Sequence, residues 1–137
     1  MPAFVLRNAF VTLDGTDVSS FVKEVHVDMT ADDVDVTAMG AGGHQHLAGI
    51  RNDKFTLVAY SNFGASSLDS IVQAKFTAAG TLAVLVQPNG STVGTLNPKY
   101  TGGCPLLTYS PVGGNVGDAA MTPLELPVNG TITPATS

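Results

Sequence analysis

The three histidines, His26, His44 and His46, are the side chains best suited to bind a metal ion. His44 and His46 are separated by one residue, Gln45. Both imidazoles would therefore lie on the same face of an extended strand and could bind zinc there. They lie in a glycine-rich segment, and no other cluster of His or Cys is near them in the sequence. We therefore expect a solvated or interface segment without a metal site. A metal-dependent enzyme that uses the three histidines is an alternative.

The acidic run Asp28, Asp32, Asp33 and Asp35 is a second place where a cation could bind. Calcium sites of the EF-hand type need regularly spaced Asp residues, a glycine and a final Glu. The run lacks that pattern, which favours a solvated or partner-facing acidic surface.

Nucleophilic catalysis has little support in the sequence. The single cysteine, Cys104, lies between Gly103 and Pro105 without a basic neighbour that would lower the pKa of its thiol. It cannot form an internal disulfide and is expected to be a small buried thiol. Serine-hydrolase, zinc-protease and phosphate-loop motifs are absent from the sequence. We predict no catalytic residue, no metal and no cofactor.

The composition indicates one domain, residues 1–137, with unusually few charges. Charged residues make up 12% of the chain and hydrophobic residues 44%, whereas about 25% of a typical soluble domain is charged. The net charge of −5 argues against a duplex-DNA-binding protein, because affinity for phosphate comes from Lys and Arg. The longest apolar run, Leu82–Val86, is too short to span a bilayer, and no signal peptide is visible. A surface with so little charge is either polar without charge or buried against other copies.

Strand-like segments predict a mainly antiparallel β fold: some alternate between apolar and polar residues, whereas Phe4–Leu13 and Thr81–Gln87 are apolar at most positions of both faces. The predicted strands are Phe4–Leu13, Phe21–Met29, Lys54–Tyr60, Thr81–Gln87, Leu106–Ser110 and Thr122–Val128. Pro123 and Pro127 lack the backbone N–H, so the last strand should lie at a sheet edge. Asp14-Gly15 predicts a tight turn after the first strand.

One flanking helix is predicted between the third and fourth strands. Ser66 can cap its N-terminus and Gly80 can end it. An apolar stripe with helical spacing predicts the face that packs on the sheet, and its members are Leu68, Ile71, Val72 and Phe76.

A long inter-strand loop, Thr30–Asn52, connects the second and third strands. A connection of that length within one domain is usually functional or disordered. It is the least ordinary segment of the chain.

Several segments, in their order along the chain, resemble the tail tube (major tail) proteins of tailed bacteriophages. They are Asp17–Val25, Ala31–Gly40, Leu47–Asn52, Leu68–Val86, Asn97–Tyr100, Tyr109–Asp118 and Leu124–Pro127. The resemblance implies a β-sandwich or barrel-like protomer, six copies of which form a ring. Stacked rings would form the tube that conducts DNA from the capsid to the host without binding it specifically. The resemblance implies a protein synthesised in the host cytoplasm and located in the virion tail, with itself and other tail or head–tail connector proteins as partners.

The resemblance also implies roles for particular residues. In that family a long loop between early strands reaches a neighbouring subunit, and residues 30–52 match it in place and length. The interface residues predicted in this loop are Asp32, Asp33, Val34, Val36, Met39, His44, His46 and Ile50. The polar side of the second strand is solvated, as a lumen is, so Glu24, His26 and Asp28 are predicted to face the lumen. Residues 128–137 would form a C-terminal extension.

Two other kinds of protein share this composition. A capsid decoration protein is also small, rich in β-structure and non-enzymatic, but it binds the outside of a phage shell and does not polymerise into tubes. A small-molecule-binding β-barrel is the other.

Overall fold

The computed structural model describes residues 5–64 and 67–136, in which alternating apolar residues form strands. The elements in chain order are β1 (Phe10–Leu13), β2 (Thr16–Asp17), β3 (Val22–Asp28), β4 (Ala31–Asp35), β5 (His46–Arg51), β6 (Lys54–Tyr60), α1 (Leu68–Thr77), β7 (Thr81–Gln87), β8 (Lys99–Pro105), β9 (Met121–Pro127) and β10 (Thr133–Ala135). A short 3₁₀ helix, Ser19–Phe21, leads into β3.

Two antiparallel sheets pack face to face around one apolar core. The larger has the strand order β10-β8-β7-β1-β2 and the smaller β3-β6-β9. The buried side chains of the larger sheet include Val11, Leu13, Leu82, Val84 and Cys104, and those of the smaller include Phe55, Leu57, Leu124 and Leu126. The fold is therefore the predicted antiparallel β-sandwich with a flanking helix. The position of β9 at the edge of the smaller sheet confirms the expectation from its two prolines.

Strand β8 is an element that the sequence did not predict. Two consecutive glycines, Gly102 and Gly103, interrupt its alternation and weaken the strand signal. The glycine at 102 lets the two sheets approach, because a Cβ there would lie 3.1 Å from both Phe55 Cε2 and Val128 Cγ1. The strand predicted at Leu106–Ser110 is wrong, since these residues follow β8 as irregular structure.

Strand β1 is shorter than the predicted Phe4–Leu13. Phe4 lies outside the described residues, and residues 5–9 are not in a strand. The pairing of β1 with β7 begins at Phe10, opposite Gln87. Pro88 follows Gln87 and has no N–H to continue the ladder, so the preceding residues have no β7 partner there. The Asp14-Gly15 turn is as predicted, with φ values of 55° and 85°.

The helix α1 packs only part of its predicted stripe. Leu68 and Val72 are buried, but Phe76 is 40% exposed, so its placement in the core was wrong. Phe76 lies beside Tyr109, with 6.4 Å between ring centroids. The predicted cap, Ser66, lies outside the described residues. The N-cap is Ser67, whose Oγ accepts a hydrogen bond from the N–H of Ser70.

The end of α1 is a Schellman motif with alanine in the left-handed position. Ala79 has φ 54°. The N–H of Gly80 donates to Lys75 O at 3.0 Å, and that of Ala79 donates to Phe76 O at 3.2 Å. The predicted stop residue, Gly80, is thus one position beyond the residue that needs glycine's freedom.

Replacing Ala79 with glycine should therefore stabilise the protein by about 0.5–1 kcal/mol, because glycine adopts a positive φ without the Cβ clash. Urea denaturation measures the difference. Ala78→Gly is the control, since Ala78 has an ordinary helical conformation and should lose stability through the greater freedom of its unfolded chain. A lower stability for Ala79→Gly than for the wild type would contradict the assignment.

The connection Thr30–Asn52, which the sequence predicted as a long loop, contains a β-hairpin. Its strands β4 and β5 pair antiparallel, with Val34 opposite Leu47. Neither face of the hairpin is buried, so no burial-driven alternation marks its strands in the sequence. The strands that flank it, β3 and β6, pair with each other up to Asp28 and Lys54. We call the paired strands β3 and β6 the β3–β6 ribbon. The hairpin therefore extends from the end of this ribbon.

Candidate assembly interface

We call the hairpin of residues 31–51 the arm. Every interface residue predicted from the sequence lies on it and is exposed in the single chain: Asp32, Asp33, Val34, Val36, Met39, His44, His46 and Ile50. Apolar side chains are among the most exposed, with Ile50 at 80% and Leu47 at 60%. Exposed apolar groups concentrated on one projecting element are typical of a surface that another chain covers. Their contact with a neighbouring subunit stays a prediction.

The two sides of the arm differ in chemistry. Val34 and Leu47 are directly paired and so lie on one side. Asp32 shares that side, because its Cβ and the side chain of Val34 both lie against Gly49. Asp33 and His46 lie on the other side, where His46 Nδ1 is 2.7 Å from Asp33 Oδ1. One side is thus mainly apolar and the other carries the acid–histidine pairs.

The end of the arm is shaped by hydrogen bonds to Asp35 and Thr37. Asp35 Oδ1 accepts from Thr37 Oγ1 at 2.6 Å and from Thr37 N at 2.9 Å. These two bonds lower the pKa of the Asp35 carboxyl. Thr37 Oγ1 in turn accepts from the N–H of Gln45 at 2.8 Å. The bonds join the outgoing and returning chains, so the arm has a defined shape.

Gly49 lies at a crowded point of the arm. A Cβ at this position would be 2.9 Å from Val34 Cγ2 and 3.2 Å from the backbone oxygen of Asp32. Valine is stiff about χ1 and cannot turn away freely. The pairing of β4 with β5 therefore depends on the absence of a side chain at position 49.

Replacing Gly49 with alanine should destabilise the arm by about 1–3 kcal/mol, the usual cost of overpacking. Amide hydrogen exchange measures the effect at Val36, whose N–H donates to Gln45 O across the arm. Exchange should be faster in Gly49→Ala, because the arm opens more often. Gly43→Ala is the matched control, since nothing lies within 4 Å of a Cβ there. Equal exchange in the two variants would show that position 49 is not crowded.

The base of the arm is fastened by Asp53, whose side chain is fully buried. Its Oδ1 accepts hydrogen bonds from Thr30 N at 3.2 Å and Arg51 Nε at 3.0 Å. Its Oδ2 accepts from Ile132 N at 2.8 Å and also from Arg51 Nη2. The backbone oxygen of Asp53 accepts from Val128 N at 2.9 Å. One residue thus joins the C-terminal segment to Thr30, which precedes the arm, and to Arg51, which ends it.

The electrostatics of this site favour the charged form of Asp53. Burial raises the pKa of its carboxyl, but the N–H of Ile132, the guanidinium of Arg51 and the N–H of Thr30 act in the opposite direction. The pKa of Asp53 is lowered as a result, because hydrogen bonds and an opposite charge stabilise the carboxylate. Asp53 is therefore ionised at neutral pH and forms an ion pair with Arg51, in which the carboxylate is buried and the guanidinium is 40% exposed.

The residues predicted to face the lumen lie on the outer side of the smaller sheet. Glu24 and His26 are exposed and Asp28 is half-buried, while Val25 and Val27 pack against the core. His26 Nε2 is 3.8 Å from Glu24 Oε1. The alternation predicted for this strand is therefore present. Its orientation toward a lumen stays a prediction.

The three histidines do not form a common metal site. His26 is on β3 next to Glu24, whereas His44 and His46 are on the arm, where their ring centroids are 6.5 Å apart. Within residues 5–64 and 67–136, no group of three or more His, Cys, Asp or Glu side chains could hold a metal ion. Cys104 is buried, which raises the pKa of its thiol to about 12, so it is not a thiolate at neutral pH.

The sequence did not identify three residues that belong to this region. Leu47 is exposed on the arm, and Arg51 and Asp53 fasten its base. Leu47 could have been found from its position in the same segment as the predicted residues. Arg51 lies in that segment as well, but Asp53 does not, and the groups that surround Asp53 include Ile132, which is 79 residues away along the chain.

Among the described residues, no helix combines the length and the apolar character needed to cross a membrane.

Neither a family model nor a curated protein matches the sequence, but solved structures have the same fold. A chain in the tail of an empty gene transfer agent particle, determined with helical refinement and C6 symmetry, has a TM-score of 0.78 at 16% identity, covering 98% of this chain and 100% of that chain. A chain in the virion of the native gene transfer agent particle has a TM-score of 0.77 at 14% identity, covering 97% and 99%.

The SPP1 tail tube contains a third similar chain, with a TM-score of 0.75 at 9% identity, covering 95% of this chain and 77% of that chain. All three similarities include nearly the whole of this chain, and therefore both the sandwich and the arm. The chain thus has the fold of tail tube proteins, as the resemblance in sequence implied.

Proposed function

We propose that the protein is the tail tube subunit of a tailed bacteriophage, with six copies in each ring and rings stacked into a tube. The observation that carries this proposal is the similarity over 98% of the chain to a subunit of a helical tail with C6 symmetry. A second observation supports it, the likeness to the SPP1 tail tube. The fold is shared at low sequence identity, so the contacts between subunits have to be sought among the residues of this chain itself.

The arm is the element best suited to make those contacts. It projects from the end of the β3–β6 ribbon, and its apolar side chains, such as Leu47 and Ile50, are exposed to solvent in the single chain. In a ring, a head-to-tail contact repeats until it closes, and a contact that does not close along the axis gives a filament. The arm of each subunit would supply such a contact with the next one.

The charge distribution suits a channel for DNA. Eight of the eleven acidic residues lie at or before Asp53, and the net charge is −5. A lumen lined by Glu24, His26 and Asp28 would repel phosphate and offer few cations to hold it. DNA would then pass without binding. The neutral second half of the chain would mainly form subunit contacts.

The remaining roles follow from the same proposal. The protein acts as a structural component of the virion tail and not as an enzyme. It is made in the host cytoplasm, and its partners are copies of itself and the proteins at the two ends of the tube, including head–tail connector proteins.

Electron microscopy of the purified protein tests the proposal. We expect rings or hollow tubes with six-fold end views as the concentration is raised, together with a shift to large species in size-exclusion chromatography. A protein that stays monomeric at every concentration would contradict the tube. Binding to the outer surface of empty phage shells without tube formation would instead identify a capsid decoration protein.

A further inference from the structure

A groove runs along β3, between that strand and the preceding segment 5–9. It consists of two adjoining depressions of about 390 and 150 Å³, which share Leu6, Ala9 and Val25. The first depression is bordered by the cationic side chains Arg7 and Lys23. The second is lined almost entirely by apolar groups: Val27, Val86, Pro88 and Tyr100, together with the three shared residues. We call the whole feature the β3 groove.

The β3 groove follows an open sheet edge. In the described part of the chain, β3 pairs with β6 on one side and with no strand on the other. Strand β3 is seven residues long. The free side of such an edge strand presents unpaired backbone N–H and C=O groups to another chain. Backbone pairing, apolar contact and positive charge are thus available along one line.

The mainly apolar side of the arm has the complementary chemistry. Val34 and Leu47 are adjacent and exposed there, and Asp32 lies beside Val34. An acid next to an apolar pair matches an apolar groove bordered by two cations. Among the described residues, the two strands of the arm pair only with each other, so the arm can extend a sheet.

The arm of the same chain does not fill the groove, since none of its residues lines either depression. Lys23 and Asp28 are near opposite ends of β3, and five residues of strand span about 17 Å. The arm leaves the sandwich beyond Asp28 and so begins at the end remote from Lys23. A second copy can bring its arm to this place without that restriction.

We propose that the β3 groove receives the arm of a neighbouring copy of the chain, with Val34 and Leu47 in the apolar part and Asp32 near Lys23 and Arg7. This inference rests on the proposed function, since it names the receiving surface of the same assembly. Asp17 also borders the groove. Its carboxylate is engaged locally by the N–H and hydroxyl of Ser19, at 2.9 and 2.6 Å, which leaves the two cations to face the arm.

Charge reversal tests the pairing. Lys23→Glu and Asp32→Lys should each raise the protein concentration needed for tube formation about tenfold or more, because like charges then meet in the groove. The chain that carries both changes should return toward the wild-type value. Lys54→Glu is the matched control, since Lys54 is exposed outside the groove and its reversal should leave assembly unchanged. Circular dichroism verifies that each variant is folded.

The outcomes separate the two proposals. Wild-type protein that forms no tubes overturns the proposed function. Tubes from the wild type and equally from Lys23→Glu overturn the groove assignment and leave the proposed function intact. If neither single variant assembles and the double variant does not assemble either, the Asp32–Lys23 pairing is rejected.

Discussion

Replacing Asp53 with asparagine should lower the melting temperature by about 10 °C or more, the scale expected when a buried carboxylate loses hydrogen bonds and leaves buried donors without a partner in a small domain. The carboxylate accepts hydrogen bonds at both oxygens, from Thr30 and Arg51 on one and from Ile132 and Arg51 on the other. Asparagine has one acceptor oxygen, and its NH₂ group would face another donor. Arg51 would also lose its counter-charge.

Differential scanning calorimetry measures the change, with Asp33→Asn as the control because Asp33 is an exposed acid of the arm. Hydrogen exchange adds a local measurement. The amides of Thr30 and Ile132 both donate to Asp53 and should exchange faster together, since one residue holds the arm and the C-terminal segment. A melting temperature equal to that of Asp33→Asn would show that Asp53 does not fasten the two segments.

The same carboxylate predicts the direction of the pH dependence. The pKa of Asp53 is lowered in the folded protein, so its contribution to stability is complete above the unfolded pKa of about 3.9 and is lost as the pH falls through the lower folded value. Urea denaturation below about pH 5 should therefore show a steeper loss of stability in the wild type than in Asp53→Asn. Parallel pH profiles for the two proteins would contradict the lowered pKa of Asp53 in the folded protein.

The strands that the sequence predicted correctly are those with one buried face. Residues 54–60 and 81–87 form β6 and β7 at the predicted bounds, and 122–128 is displaced by one residue from β9. Burial of one face imposes alternation on the local sequence, and alternation can be recognised without knowing the partner strand. Local patterns therefore predicted an antiparallel β fold with one helix, whereas the sandwich arrangement was implied by the resemblance to tail tube proteins.

The elements that were missed depend on contacts between distant residues. The arm has both faces exposed, so neither strand has a buried side to mark it. Strand β10 has three residues and exists through its pairing with β8. Asp53 precedes a predicted strand and looks like a solvated acid, yet the chain closes around it through Ile132. A single sequence carries no local sign of such closure.

The candidate interface was predictable in place but not in form. The unusual length of residues 30–52 indicated a functional or disordered segment, and the resemblance to tail tube proteins predicted that it reaches a neighbouring subunit. Which side of the segment meets the partner depends on pairing, because Val34 and Asp33 are neighbours in sequence and lie on opposite sides of the arm. The groove that we propose as its partner requires β3 to be an edge strand, which is a property of the sheet order and not of the sequence of β3.

Removing the arm should abolish tube formation while the sandwich stays folded. In the variant, the dipeptide Asn-Gly replaces residues 32–50 and connects Ala31 to Arg51. These two residues are paired across the base of the arm. Asn-Gly suits a two-residue hairpin turn. The bonds of Arg51 to Asp53 and of Asn52 N to Thr30 O are kept, and the shorter connection costs less closure entropy. The melting temperature should stay within a few degrees of the wild type.

Electron microscopy and size-exclusion chromatography of this variant should show monomers at concentrations where the wild type forms tubes. The variant keeps the β3 groove and so can receive an arm, but it has no arm to offer. Added in small amounts to the wild type, it should therefore occupy growing ends and shorten the tubes. Lys23→Glu introduced into the armless variant should remove that inhibition, because the groove then repels the incoming Asp32. Tubes formed by the armless variant alone would refute the role of the arm.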